Sequence, residues 1–319
     1  MATIIIILVN IVAGSACLIY GVNLISDGLE KINLHRIRHV LTRFTKNVPM
    51  AFLTGTIITA LVQSSTAVTV ITVGLVNTGI IGFSQAIGII YGANVGTTIT
   101  AQFMSFKITD FAPAFISLGL AIKLLGKKYS VRNVGRATIG FGLMLLGINI
   151  LGWSMPYMEK SEFVRDIFLK YGKNPYLGII VGMLATMIVH SSSATVGFTI
   201  VLFNSGFISF DAALGLVLGD NIGTCFTTVL ASIDTTISAK RTAWAHVLYN
   251  IIGSLTALAL LSPFSELVKK FTVMIGQDMS RLVANAHTLF NILSALLFLP
   301  FTRYYERFVV WIIGNEGIR

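Results

Sequence analysis

A chain of 319 residues with 55% hydrophobic residues, 11% charged residues and a mean hydropathy of +0.82 has too little polar surface to cover a soluble globule. Its 23 Lys and Arg outnumber 13 Asp and Glu, but they cluster between apolar runs instead of along one polar face. The net charge of +10 therefore reads as membrane topology, and nucleic acid is excluded as a partner.

From Met1 the chain runs straight into Ile4, Ile5, Ile6 and Ile7, with no basic stretch before them and no small-residue cleavage pattern after. A removable signal peptide is not expected, and the first segment stays as a membrane helix. About twenty apolar residues at about 1.5 Å each cross a hydrocarbon core of about 30 Å. Seven stretches qualify: 3–26, 82–105, 110–126, 136–154, 210–232, 242–262 and 282–302. Cys17 and Cys225 fall in apolar segments, where a thiol behaves as a small hydrophobe. After the first stretch, Ile37, Val40, Leu41 and Phe44 recur at helical spacing near Arg36 and Arg43; Phe264, Leu267, Val268, Phe271 and Ile275 do so opposite Lys269 and Lys270. Both patterns predict helices lying in the interface.

Two further apolar runs, 49–76 and 176–203, are too short for two spans each, and each is interrupted by a polar tip: Gln63-Ser64-Ser65-Thr66 and His190-Ser191-Ser192-Ser193. A hairpin of two half-helices that enters and leaves on one side is the simplest structure, tolerated at depth where protein or a cavity surrounds the tip. With hairpins there, Lys31, Arg36, Arg38, Arg43, Lys46, Lys123, Lys127, Lys128, Arg132, Arg136, Lys240, Arg241, Arg303, Arg307 and Arg319 fall on one side. Lys107, Lys160, Arg165, Lys170, Lys173, Lys269, Lys270 and Arg281 fall on the other. Fifteen against eight places the first set in the cytoplasm of a cell inner (plasma) membrane protein, with the N-terminus outside and the C-terminus cytoplasmic.

Shifting the sequence by 127 residues superimposes Gln63 on His190, Asn77-Thr78-Gly79 on Asn204-Ser205-Gly206, and the segment 92–97 (Gly-Ala-Asn-Val-Gly-Thr) on 219–224 (Gly-Asp-Asn-Ile-Gly-Thr). Over 63–103 against 190–230, sixteen of 41 positions are identical without a gap, which points to duplication. The predicted fold is an all-α polytopic membrane protein of two inverted repeats, each with a re-entrant helical hairpin and a broken transmembrane helix. Residues 1–126 form the first repeat (hairpin 49–76, broken helix 82–105) and 127–262 the second (hairpin 176–203, broken helix 210–232). Residues 263–319 add an interfacial helix, a final transmembrane helix and a cytoplasmic tail. Three net crossings per unit turn the second copy upside down, so the tips meet near the midplane.

At each tip the second half-helix begins at the serines, and its first N–H groups lack intrahelical partners. With the helix dipole and several hydroxyls they suit a small tetrahedral oxyanion, and no Lys or Arg stands near to hold it too tightly. Hydroxyl and carbonyl oxygens also suit a hard cation such as Na⁺. The bland alternative, serines bonding to carbonyls one turn back or allowing close packing, fits a lone serine better than four polar residues repeated in register. Asn94, Thr97 and Thr98, and Asn221 and Thr224, lie in glycine-weakened segments read as helix breaks whose carbonyls bind cation; close packing at the glycines is the alternative. Asp220, where the first copy has Ala93, is the one acid expected at mid-membrane depth, a place for a cation or a proton. The pattern Ala245-His246 to Asn250 recurs as Ala286-His287 to Asn291, and is read as structural hydrogen bonding between helices.

Paired tips, each followed by a Gly-x-Asn-x-Gly-Thr segment, resemble the type II sodium/phosphate cotransporter family across both units. The resemblance implies sodium-coupled uptake of inorganic phosphate by alternating access, with no cofactor and with Na⁺ as coupling ion. It implies phosphate on Ser64, Ser65, Thr66, Ser191, Ser192 and Ser193. Sodium is expected on Gln63, Ser65, Asn94, Thr97, Thr98, His190, Ser192, Asp220, Asn221 and Thr224. His190 departs from the family's Gln and Asp220 from a small residue; the helical cytosolic domain of many bacterial members has no counterpart here. A homodimer in the bilayer is compatible with this reading. Export of phosphate, or carriage of another oxyanion such as sulfate or arsenate, remains open. An intramembrane hydrolase using Ser191 with His190 is disfavoured, because adjacent residues rarely place base against nucleophile.

Overall fold

The computed structural model describes the backbone of residues 2–106 and 108–314, and their side chains except at 2 and 31–36. Of the basic residues used for sidedness, Lys107 and Arg319 and the side chains of Lys31 and Arg36 lie outside the described residues. Regular structure among the described residues is helical throughout. The first half contains α1 (Ala2–Arg43), α2 (Val48–Val62), α3 (Ser65–Asn77), α4 (Phe83–Met104) and α5 (Ala112–Leu125). There follow α6 (Tyr129–Lys160), α7 (Glu162–Tyr171), α8 (Pro175–Val189), α9 (Ser192–Asn204), α10 (Phe210–Leu230) and α11 (Ile237–Ala259). The chain closes with α12 (Leu261–Met274), α13 (Leu282–Phe298) and α14 (Thr302–Ile313).

Among the described residues, four segments are long and apolar enough to cross a membrane alone: Thr3–Glu30, Tyr129–Lys160, Phe210–Leu230 and Met279–Ile313. Up to seven qualify if each of three bent pairs counts as one span, with bends of 84° between α4 and α5, 113° between α7 and α8, and 89° between α11 and α12. α4 and α5 were expected as separate spans; α4 qualifies only with α5, since Gln85, Asn94, Thr97, Thr98 and Gln102 dilute its apolar content.

Small residues set how the helices pack, because in lipid close backbone approach replaces much of the hydrophobic driving force. α1 and α6 run antiparallel: Gly14 lies against Gly147, Gly21 against Gly140, and Gly28 against Asn133. α2 and α4 run parallel, since Gly88, Gly92 and Gly96 face Val48, Phe52 and Thr56 in the same order. At an offset of 127 residues, α8 and α10 repeat this, with Gly215, Gly219 and Gly223 facing Pro175, Ile179 and Met183. Parallel packing of α2 and α4 requires α3 to carry the chain back to the end where α2 began, and α9 does the same for α8 and α10. Gln85 Nε2 donates to the Thr45 carbonyl at 2.6 Å, and Ser209 N–H to the Gly172 carbonyl at 2.8 Å, fastening each return.

Two expectations are corrected. α4 and α10 run unbroken through their Gly-x-Asn-x-Gly-Thr segments. Their glycines face a neighbouring backbone, and without competing water the helical hydrogen bonds persist. Residues 37–43 do not form a separate interfacial helix but continue α1, because Ile37 and Leu41 are buried against Ile58, Val62 and Val68 of the first hairpin. The expected tail after residue 302 is helical as α14, burying Tyr305 and Val309. α12 forms where its amphipathic pattern places it and buries Phe264 and Val268, although Leu267 is exposed.

Candidate functional site

Each hairpin reverses through one residue in a left-handed conformation. α2 ends on Gln63 (φ 60°, ψ 24°) and α8 on His190 (φ 54°, ψ 28°), the two non-glycine residues with positive φ among those described. Such strain persists where surrounding bonds fix it. Gln63 N–H donates to the Thr59 carbonyl at 2.7 Å, and His190 N–H to the Thr186 carbonyl at 2.8 Å. Gln63 Oε1 accepts from Thr100 Oγ1 at 2.7 Å, while its Nε2 donates to the Ala60 carbonyl at 2.5 Å. The matching second-half pair, His190 Nδ1 and Thr227 Oγ1, lies 3.4 Å apart, and the imidazole stacks on Phe226. Gln63 is buried, with Ser26 Oγ donating to its carbonyl at 3.0 Å; His190 is exposed.

The next residue caps the second half-helix. Ser64 Oγ accepts from Ala67 N–H at 3.1 Å, and Ser191 Oγ from Ala194 N–H at 3.3 Å, both from extended backbone. An N-cap serine satisfies one orphan donor of the first turn. The N–H groups of Ser65 and Thr66, and of Ser192 and Ser193, are the first of their helices and have no acceptor within them. Ser65 is buried, whereas Thr66, Ser191, Ser192 and Ser193 are half-buried. Each tip thus combines free donors, hydroxyls and the positive end of a short helix, a polar lining without formal charge.

The remaining candidates divide by partner. Asn94 Oδ1 faces His246 Nε2 at 3.2 Å, and Asn94 Nδ2 donates to Asn250 Oδ1 at 3.2 Å. His246 Nδ1 lies 3.2 Å from Thr228 Oγ1, which lies 3.1 Å from Thr69 Oγ1. A polar chain therefore links α3 and α4 of the first half to α10 and α11. Thr98 Oγ1 donates to the Val95 carbonyl at 2.8 Å and Asn221 Nδ2 to the Val217 carbonyl at 2.8 Å, so both are engaged by their own helix. Thr97 is buried, and Thr224 Oγ1 is buried without a partner. Asp220 is fully buried; its Oδ1 accepts from Thr186 Oγ1 at 2.7 Å and its Oδ2 has no partner. No hydrolase pair forms, since Ser191 Oγ is held by Ala194 and His190 faces Thr227.

Sequence reasoning left Thr186, Thr195, Thr69 and Thr228 out of the site, because threonines are common in these helices and only folding brings these together. Thr100 and Thr227 carried a signal in their identity across the repeat. His246 and Asn250 bond between helices as expected from their spacing; His287, in the second copy of that pattern, has both ring nitrogens buried without partners.

A family model described as Na⁺/Pi-cotransporter matches residues 17–152 and 158–277. YqeW of Bacillus subtilis is 32% identical over 289 residues, covering 91% of this chain and 92% of its own. "Putative inorganic phosphate export protein YjbB" of Escherichia coli K12 is 31% identical over 310 residues, 97% of this chain and 56% of that protein, so the chain spans little more than half of YjbB. Sodium-dependent phosphate transport protein 2B of Rattus norvegicus is 31% identical over 169 residues, 52% of this chain and 23% of that protein. No solved structure matches the chain.

Proposed function

From the premise that the chain belongs to the Na⁺/Pi-cotransporter family, multi-pass membrane transporters and not enzymes, we propose that it takes up inorganic phosphate in symport with Na⁺ by alternating access. The observation that carries this reading is the tip geometry, formed twice from a left-handed reversal, a capping serine and free helix N–H groups. Phosphate is held by Ser64, Ser65 and Thr66 from one hairpin and Ser191, Ser192 and Ser193 from the other. Uncharged donors bind it without a cation that would need neutralising when the carrier returns empty. Sodium takes oxygens from the set Gln63, Ser65, Asn94, Thr97, Thr98, His190, Ser192, Asp220, Asn221 and Thr224. The hairpins are re-entrant and the repeats inverted, with the repeat boundaries expected from sequence but with α4 and α10 unbroken. Antiparallel α1 and α6, and the return of each hairpin to its starting end, support that arrangement. Exchanging the conformations of two inverted halves converts an inward-open state into an outward-open one.

Labelled phosphate accumulation in liposomes holding the purified chain, with an inward Na⁺ gradient and with K⁺ in its place, tests the proposal. Accumulation only with Na⁺ is expected, and Ser65→Ala or Ser192→Ala should abolish most of it. Equal accumulation with K⁺ would sink the symport. Phosphate export, the activity in the name given to YjbB, is the second reading. It requires release from phosphate-loaded liposomes that an inward Na⁺ gradient does not oppose.

A further inference from the structure

Asp220 is the only carboxylate buried among the described residues, and Thr186 alone partners it. Its Oδ2 and the Thr224 Oγ1, one turn further along α10, are both buried without a hydrogen-bond partner. Thr186 is in turn 2.8 Å from Thr195 Oγ1, so the carboxylate is positioned by both arms of the second hairpin. An uncompensated charge in a low-dielectric interior is costly, so a buried carboxylate is paired, holds a cation or takes up a proton, and an orphan carboxylate oxygen beside an orphan hydroxyl oxygen suits the cation. The first half lacks this arrangement. Ala93 stands in the place of Asp220, and Thr59, in the place of Thr186, has a buried hydroxyl with no partner.

We propose that Asp220 Oδ2 and Thr224 Oγ1, with Thr186 orienting the carboxylate, form a Na⁺ site confined to the second half and filled without phosphate. It rests on the symport reading and narrows the sodium set to one asymmetric position. All its donors are hard oxygens, the preference of a hard cation. One carboxylate neutralises one charge, which selects a monovalent ion over Mg²⁺ or Ca²⁺, whose second charge would stay uncompensated in the interior. Because Thr186 of α8 meets both Asp220 of α10 and Thr195 of α9, a cation here steadies α9 against the α8–α10 pair before phosphate arrives. The first hairpin receives no such support.

The test is thermal unfolding of the purified full chain in detergent, phosphate-free, with NaCl titrated against choline chloride at constant ionic strength. A ligand that binds the folded state alone raises Tm in a saturable way. Wild type should show a saturable rise with Na⁺ and not with K⁺. Asp220→Asn should remove it, and Thr186→Val and Thr224→Val should each move its midpoint at least about tenfold higher in Na⁺, the change produced by about 1.4 kcal/mol. Thr59→Val should leave the midpoint where it is. If Asp220→Asn does not fold, the two threonine variants decide. A wild type without a Na⁺ response, an equal K⁺ response, or unchanged midpoints in those variants overturns the site. A Na⁺ response lost in the variants, together with no Na⁺-driven uptake by wild-type liposomes, keeps the site and overturns the symport reading.

Discussion

Gly92→Ala and Gly219→Ala probe whether the glycine segments bind cations through freed carbonyls or pack helices. A Cβ at Gly92 would fall against the Phe52 carbonyl oxygen and 2.6 Å from Thr56 N; at Gly219 it would meet the Ile179 carbonyl and lie 2.8 Å from Met183 N. All four are backbone atoms of α2 or α8, so no side chain can swing aside and the helices must separate. Overpacking of this kind costs about 1–3 kcal/mol, and a rigid backbone neighbour places these sites at the upper end. Alanine recovers up to about 1 kcal/mol of helix propensity, leaving a net loss of about 1–2 kcal/mol. Gly152→Ala, where a Cβ meets nothing within 4 Å, collects the propensity gain without the clash. Thermal unfolding in detergent should therefore rank Gly152→Ala at or above wild type and the other two clearly below. If Gly92→Ala and Gly219→Ala keep wild-type stability while the Na⁺ dependence of transport collapses, the packing explanation is wrong and cation binding through freed carbonyls of these segments returns.

Ser64→Ala and Ser191→Ala each remove an N-cap worth about 0.5–2 kcal/mol, so both should lower Tm as well as phosphate flux. Since the Ser64 bond is the shorter, at 3.1 Å against 3.3 Å, and its tip the more buried, the first variant should lose at least as much stability as the second. His246→Phe keeps an aromatic ring but abandons Asn94 Oδ1 and Thr228 Oγ1. At about 1–3 kcal/mol for each buried group left unsatisfied, its Tm should fall well below that of an exposed His190→Phe, and equal Tm values would refute the bridging role.

How much of this could be read from sequence follows the range of each interaction. The tips were visible because Gln63 to Thr66 and His190 to Ser193 interrupt apolar runs, and the local rules for helix caps then fix Ser64 and Ser191. The glycine segments were located correctly and misjudged in effect. Helix propensity scales describe glycine in water, whereas Gly92 and Gly219 sit against neighbouring backbones that reward the missing side chain. The partner of Asp220 was not legible at all. Thr186 is 34 residues away and resembles every other threonine of these helices until α8 and α10 pack in parallel. The end of α1 was misplaced for the same reason, since Ile37 and Leu41 look interfacial until the first hairpin covers them.

The glycine packing also restricts what can move in the alternating-access cycle proposed above. α2 with α4, and α8 with α10, meet backbone to backbone along three successive turns, leaving no side-chain layer over which one helix could slide past the other. Each tip is further tied to its own long helix, Gln63 to Thr100 and His190 to Thr227. Each pair is best treated as one rigid body. Between the halves, α1 and α6 also meet backbone to backbone, and the side-chain polar contacts are those of Thr69 with Thr228 and of His246 with Asn94. Hydroxyls donate and accept with equal ease, and a neutral imidazole offers one of each, so these contacts can exchange partners without stranding a formal charge in the membrane interior. Placing Asp220 inside a rigid pair, bonded to Thr186 of the same pair, keeps the one carboxylate buried among the described residues away from those polar contacts between the halves.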